Sequence, residues 1–227
     1  MLWPAGFVAA MMWVVWNMPG YILLLGGGSE RLAAKYQPAG ALDLLLLAVA
    51  LICLCLGVAR ATPDEGEIPA HNVMDRFAIF IGRVTMALLL ILAAVIPWEI
   101  TMRYAFAAPT LWVNEFSLWI TGFIFFLSGV VAQRQRNHIR IDFVHAHMPR
   151  PMKKAADIVS AGAACLFAFG ILWGSYNEIT KKFFNWETFG TAFDPPIPAT
   201  LMPLMVLALL TVAIQGVVNL IMDWKTS

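Results

Sequence analysis

His138, Asp142, His145 and His147 are the first residues that invite chemistry, because imidazole and carboxylate are the ligands that zinc takes. A metal site needs three or four such groups aimed at one point, and His-x3-Asp-x2-His-x-His matches no standard ligand spacing. The same stretch interleaves Ile139, Ile141, Phe143 and Val144 with Arg140. That mixture suits a segment lying in a membrane interface, apolar residues in lipid and cations toward acidic headgroups. No metal is expected there. Cys53 and Cys55 stand two apart, so on a helix they point ~200° apart and cannot share one ion. With Cys165 they make an odd set inside apolar runs, which gives no disulfide framework.

A second group is Glu99, Arg103 and Glu115. Glu99 and Arg103 are spaced i and i+4, and Glu115 follows a turn at Ala108-Pro109. Two carboxylates flanking a guanidinium fix geometry rather than run acid–base chemistry, and the expectation is that Arg103 bridges both acids across a helical hairpin. Nothing else supplies a reaction. The chain has no nucleophile motif, no Gly-rich phosphate loop and no metal-ligand spacing, and His71, like the other three histidines, falls in a predicted loop where it cannot serve haem inside a bundle. The sequence therefore reads as a non-enzyme without cofactors.

What positions these residues is a bilayer. Of 227 residues 60% are hydrophobic and 13% charged, with a mean hydropathy of +0.75, well beyond the ~45–50% apolar content of soluble domains. A net charge of +1 with scattered basic residues excludes nucleic acid as a partner. Six apolar segments, Ala5–Leu25, Ala41–Ala59, Phe77–Trp98, Trp112–Ala132, Asp157–Tyr176 and Thr200–Met222, each approach the ~20 residues that cross a hydrocarbon core. Lipid leaves backbone groups no partner, so these must be helices: the fold class is all-α and integral to the membrane. The first segment lacks a basic n-region and a cleavage site and is read as retained, with a kink at Asn17-Pro19. Arg83, two turns into the third helix, is expected to reach the headgroups. In the fifth, Ser160, Ala164 and Ala168 and the pair Gly170-x-x-x-Gly174 are small enough for close helix packing. The aromatic, proline-rich run from Phe183 to Pro198 belongs at interface level.

One span carries a different polar signature on each side. Upstream stand Arg103, Tyr104, Phe106, Pro109, Trp112 and Glu115; downstream stand Arg134, Arg136, His138, Ile139, Arg140 and Asp142. Together they resemble the small membrane subunit, DctQ-like, of tripartite ATP-independent periplasmic (TRAP) transporters, over roughly residues 73–224. The resemblance implies a domain at 73–227, preceded by a two-helix extension at 1–60 and a linker at 61–72. It also implies a large membrane subunit (DctM-like), a periplasmic solute-binding protein (DctP-like), and ion-driven, sodium-type import of an organic acid. It assigns no catalytic or ion-binding role to any residue here; the motif residues Glu99, Arg103, Tyr104, Pro109, Trp112, Glu115, Arg134, Arg136, His138, Arg140 and Asp142 go to fold and subunit contact. Six spans put both termini on one side. The Lys and Arg distribution makes that side the cytoplasmic face of an inner membrane, with ten cations inside and five outside. An autonomous carrier, or an anchor subunit of an unrelated complex, is the alternative reading.

Overall fold

The computed structural model describes residues 2–135 and 149–226, and every element in them is helical. Arg136, His138, Arg140, Asp142, His145 and His147 lie outside the described residues, and with them the interfacial segment and its metal alternative.

In order the helices are α1 Leu2–Trp16, α2 Met18–Leu24, α3 Glu30–Lys35, α4 Ala41–Ala59, α5 Val73–Tyr104, α6 Val113–Arg134, α7 Arg150–Phe184 and α8 Ile197–Thr226. Five are long and apolar enough to cross a membrane, and α1 with α2 makes a sixth if the bent pair counts as one span. The first predicted segment is thus not a straight helix. It turns by 66° at Asn17, because Pro19 removes a backbone donor from the first turn of α2. Asn17 closes α1 by donating both its backbone N–H, at 2.9 Å, and its side-chain amide, at 3.1 Å, to the Trp13 carbonyl.

The third helix runs further than its apolar run, through Pro97 to Tyr104, and the fifth lengthens at both ends to 35 residues. Polar flanks extend a helix beyond the hydrocarbon, so apolar length underestimates helical length.

α1 and α4 are antiparallel: Trp3 lies under the Arg60 guanidinium at 5.1 Å, Gly6 faces Cys53, and Trp13 donates its indole N–H to Asp43 at 2.9 Å. This hairpin packs on α5. The closest seat is Gly57, where an added Cβ would stand 2.2 Å from the Phe80 ring, so only glycine admits that ring between α4 and α5. From α5 the main packing continues as an open row, α5 on α6, α6 on α8, α8 on α7. Gly122 of α6 receives Leu201 of α8 in the same manner. The first core therefore joins extension and row, with Val8 among Ala78, Phe80, Val84 and Val130.

At one end of the bundle Trp3, the 61–72 linker and Met222 come together, since Asn72 donates to the Met222 sulfur at 3.4 Å. At the other end, α2 and α3 form a cap in which Ile22 and Leu32 cover Trp186 and Ala199. Gly20 permits that cap: its carbonyl accepts from Ala39 N–H at 2.9 Å, and a Cβ there would stand 3.1 Å from the Gln37 and Ala39 backbone.

Candidate functional site

The motif residues occupy both ends of the α5–α6 hairpin. At the turn, α5 closes with Ala108 N–H donating to the Met102 carbonyl at 3.0 Å across Ala107, which takes a positive φ of 52°. Pro109 follows on the exposed tip. Folding back brings Thr110 onto Glu99. Glu99 Oε1 accepts from Arg103 at 2.8 and 3.2 Å, while Oε2 accepts from Thr110 N–H at 3.2 Å and from the Thr110 hydroxyl. The Glu99 side chain is 12% exposed and that of Arg103 is 51% exposed. The acid is therefore the hub.

Glu115 does not join it. It accepts from the Thr191 hydroxyl at 2.6 Å, in the connection between α7 and α8. The expected three-membered cluster is corrected to two separate contacts. Glu115 sits in the first turn of α6, within reach of the loop that leads into α8, whereas Arg103 is already held on its own helix by Glu99. Trp112 meets Phe116 edge-on and Phe193 at a tilt, and Trp119 donates to Thr200 at 2.8 Å while packing against Trp16 of the extension. Tyr104 is exposed at the helix end.

At the other end Arg134 is almost wholly buried, its side chain 2% exposed. It pairs with Glu67 at 3.2 Å and donates to the Ile68 carbonyl, both in the linker, and its Nε has no partner among the described residues. Beside it the linker caps α5: Asn72 accepts from Asp75 N–H at 2.8 Å, and Asp75 accepts from His71 N–H at 2.9 Å. Gln215 of α8, fully buried, donates to Asp75 at 3.0 Å and to Asn219 at 3.1 Å, and Asn219 donates to the Gln133 carbonyl. Arg83 holds the same linker, donating to the Thr62 carbonyl at 2.6 Å and to Asp64 at 3.4 Å.

Glu67, Thr110, Thr191, Gln215 and Asn219 were not singled out by the sequence. Asn72 with Asp75 three residues later was a readable helix-start signal. The others depend on tertiary pairing and carry none.

The small-residue stripe splits. Ala168 is buried and Ala164 half-buried toward α8, but Ser160, Gly170 and Gly174 are exposed, with open space where a Cβ of either glycine would sit. The Gly-x-x-x-Gly pair is thus not an internal packing seam. The tightest internal approaches among the described residues are at Gly57 and Gly122.

No group of three or more His, Cys, Asp or Glu side chains that could hold a metal occurs among the described residues. Polar contacts at both ends and apolar helices between them make an arrangement that holds helices together.

The family model described as "Tripartite ATP-independent periplasmic transporters, DctQ component" matches residues 92–226, beginning within α5 and running to the end of α8. Neither a curated protein nor a solved structure matches the chain. The family is not enzymatic, and it implies a complex with DctM and DctP components. The match spans the hairpin turn, the Arg134 end of α6 and the two long helices that complete the row, and the chain belongs to the DctQ family, the small membrane components of TRAP transporters.

Proposed function

We propose that this chain is a scaffold that is necessary for transport and carries no solute itself, within an ion-driven, sodium-type system that imports an organic acid. One observation carries the reading. Between residues 84 and 98, 116 and 133, 158 and 177, and 197 and 222 there is not one Asp, Glu, His, Lys or Arg. A hydrophilic anion and its coupling ion need polar groups in place of water near the bilayer midplane. Those groups belong to the large subunit, and the periplasmic protein delivers the acid.

The contact with the large subunit falls on α7. Its one extensive neighbour is α8, and Leu166, Phe167 and Trp173 are 72%, 60% and 79% exposed on the side turned away from it, where Gly170 and Gly174 leave room for a second backbone. Residues 73–227 form the family unit, residues 1–60 an extension that braces it, and residues 61–72 the strap between them. Both termini are cytoplasmic, as the ten-to-five bias of Lys and Arg favours.

Photo-crosslinkers at Phe167 and Trp173 should capture the large subunit, and crosslinkers at Leu45 or Ile52 on the extension should not. The reverse pattern overturns the α7 assignment. Reporter fusions in the linker should be active only in the cytoplasm, and periplasmic activity there inverts the topology.

A further inference from the structure

Four arginines stand around the strap. Two of them, Arg83 and Arg134, have carboxylate partners in it, Asp64 and Glu67. Arg60 and Arg76 are exposed and form no ion pair among the described residues, and Glu65, exposed on the strap, pairs with neither. The two lie side by side, since Arg76 donates to the Ala59 carbonyl at 3.3 Å, on the peptide that leads into Arg60. Both side chains are also tethered, because the Arg60 guanidinium lies over the Trp3 ring at 5.1 Å from its centroid. One cation–π contact and one carbonyl bond leave most of the pair's N–H donors unused.

Their depth follows from the helices. The 19 residues of α4 rise about 28 Å at 1.5 Å each, the thickness of the hydrocarbon core, and Arg60 comes directly after them. On α5 the apolar run starts at Phe77, so Arg76 precedes it by one residue. Both guanidiniums therefore stand where hydrocarbon gives way to headgroups, with Trp3 beside them as an interfacial aromatic.

We propose that Arg60 and Arg76 together hold the phosphate of an anionic phospholipid, whose acyl chains lie against the exposed apolar surface of α4. Two neighbouring guanidiniums repel each other unless an anion lies between them, and a phosphate accepts several N–H bonds from both. A zwitterionic lipid brings an ammonium to the same place, which the pair disfavours. Below Arg60, Leu51 and Ile52 of α4 are 52% and 54% exposed, apolar surface that a chain-bearing phosphate covers and a soluble one does not.

The full chain is incorporated in nanodiscs of equal phosphatidylglycerol and phosphatidylethanolamine and released into mild detergent, and the lipid it retains is identified by native mass spectrometry. At about 1 kcal/mol for each basic residue at a lipid surface, the wild type should retain phosphatidylglycerol roughly thirtyfold over phosphatidylethanolamine. Arg60→Gln and Arg76→Gln should each lower that ratio about fivefold, and the double variant should abolish it with helicity unchanged. Arg31→Gln, at an exposed cation outside the pair, should leave the ratio as it is. Millimolar glycerol phosphate should not displace the lipid. Equal retention of the two lipids by the wild type overturns the proposal, as does a preference that survives the double substitution. An equal loss in Arg31→Gln assigns the preference to overall charge, and displacement by glycerol phosphate assigns the pair to a soluble anion; either also overturns it. The scaffold reading stands apart from these outcomes, since none of the measurements reads transport.

Discussion

Glu99 receives bonds from two elements while Arg103 has one partner and lies half in solvent, so removing the acid and removing the base are unequal losses. Glu99→Ala should lower the thermal midpoint of the purified complex clearly more than Arg103→Ala does, because it releases the Thr110 turn from α5 as well as removing one ion pair. Equal effects would mean that the turn does not depend on Glu99. Arg134 poses the opposite case. Its guanidinium is buried, so Glu67→Gln leaves a charge without its counter-ion and should cost about 3 kcal/mol, whereas Arg134→Met, which removes the charge with the pair, should cost less. Chemical unfolding of both variants checks the order. At this scale the sequence disclosed residue types and helix spacings. Glu99 with Arg103 was legible because both lie on one helix; Thr110 with Glu99 and Arg134 with Glu67 were not, since nothing local fixes which distant group meets a buried charge.

The helices themselves were the most legible feature, because hydrocarbon forces any long apolar run to satisfy its own backbone. Their ends and contacts were less so. Gly-x-x-x-Gly on α7 faces outward, while lone glycines at 57 and 122 admit Phe80 and Leu201, so packing is decided by what stands opposite rather than by a motif on one helix. Trp186 illustrates the interplay of elements. It ends α7 with a positive φ of 49°, a conformation that costs a non-glycine residue about 1–2 kcal/mol, yet its ring is buried under Ile22 and Leu32 of the cap. Trp186→Ala removes the ring and keeps the strained backbone, and should destabilise by about 3 kcal/mol or more. Trp186→Gly should cost less, since glycine relieves the φ. If the two substitutions were equal in thermal unfolding, backbone strain would have no part in this helix end.

Across the whole molecule, the extension packs against the family unit at several levels: Phe7 against Phe80 in the first core, Trp16 against Trp119, and the α2–α3 cap over Trp186 and Ala199. The polar, proline-bounded run at residues 61–72 stands out in the sequence, but the density of contact across it does not, because packing between helices leaves no trace in a linker. The role proposed for the chain as a whole rests on where its charged groups lie among the described residues: toward both ends of the bundle, fixing turn and strap, with helix middles that carry no Asp, Glu, His, Lys or Arg. The direct measurement is uptake into vesicles under an inward sodium gradient. This chain reconstituted alone should accumulate no organic acid, and uptake should appear only when the large subunit and the periplasmic binding protein are both added. Concentrative uptake by the chain alone would contradict the account and make it a carrier in its own right.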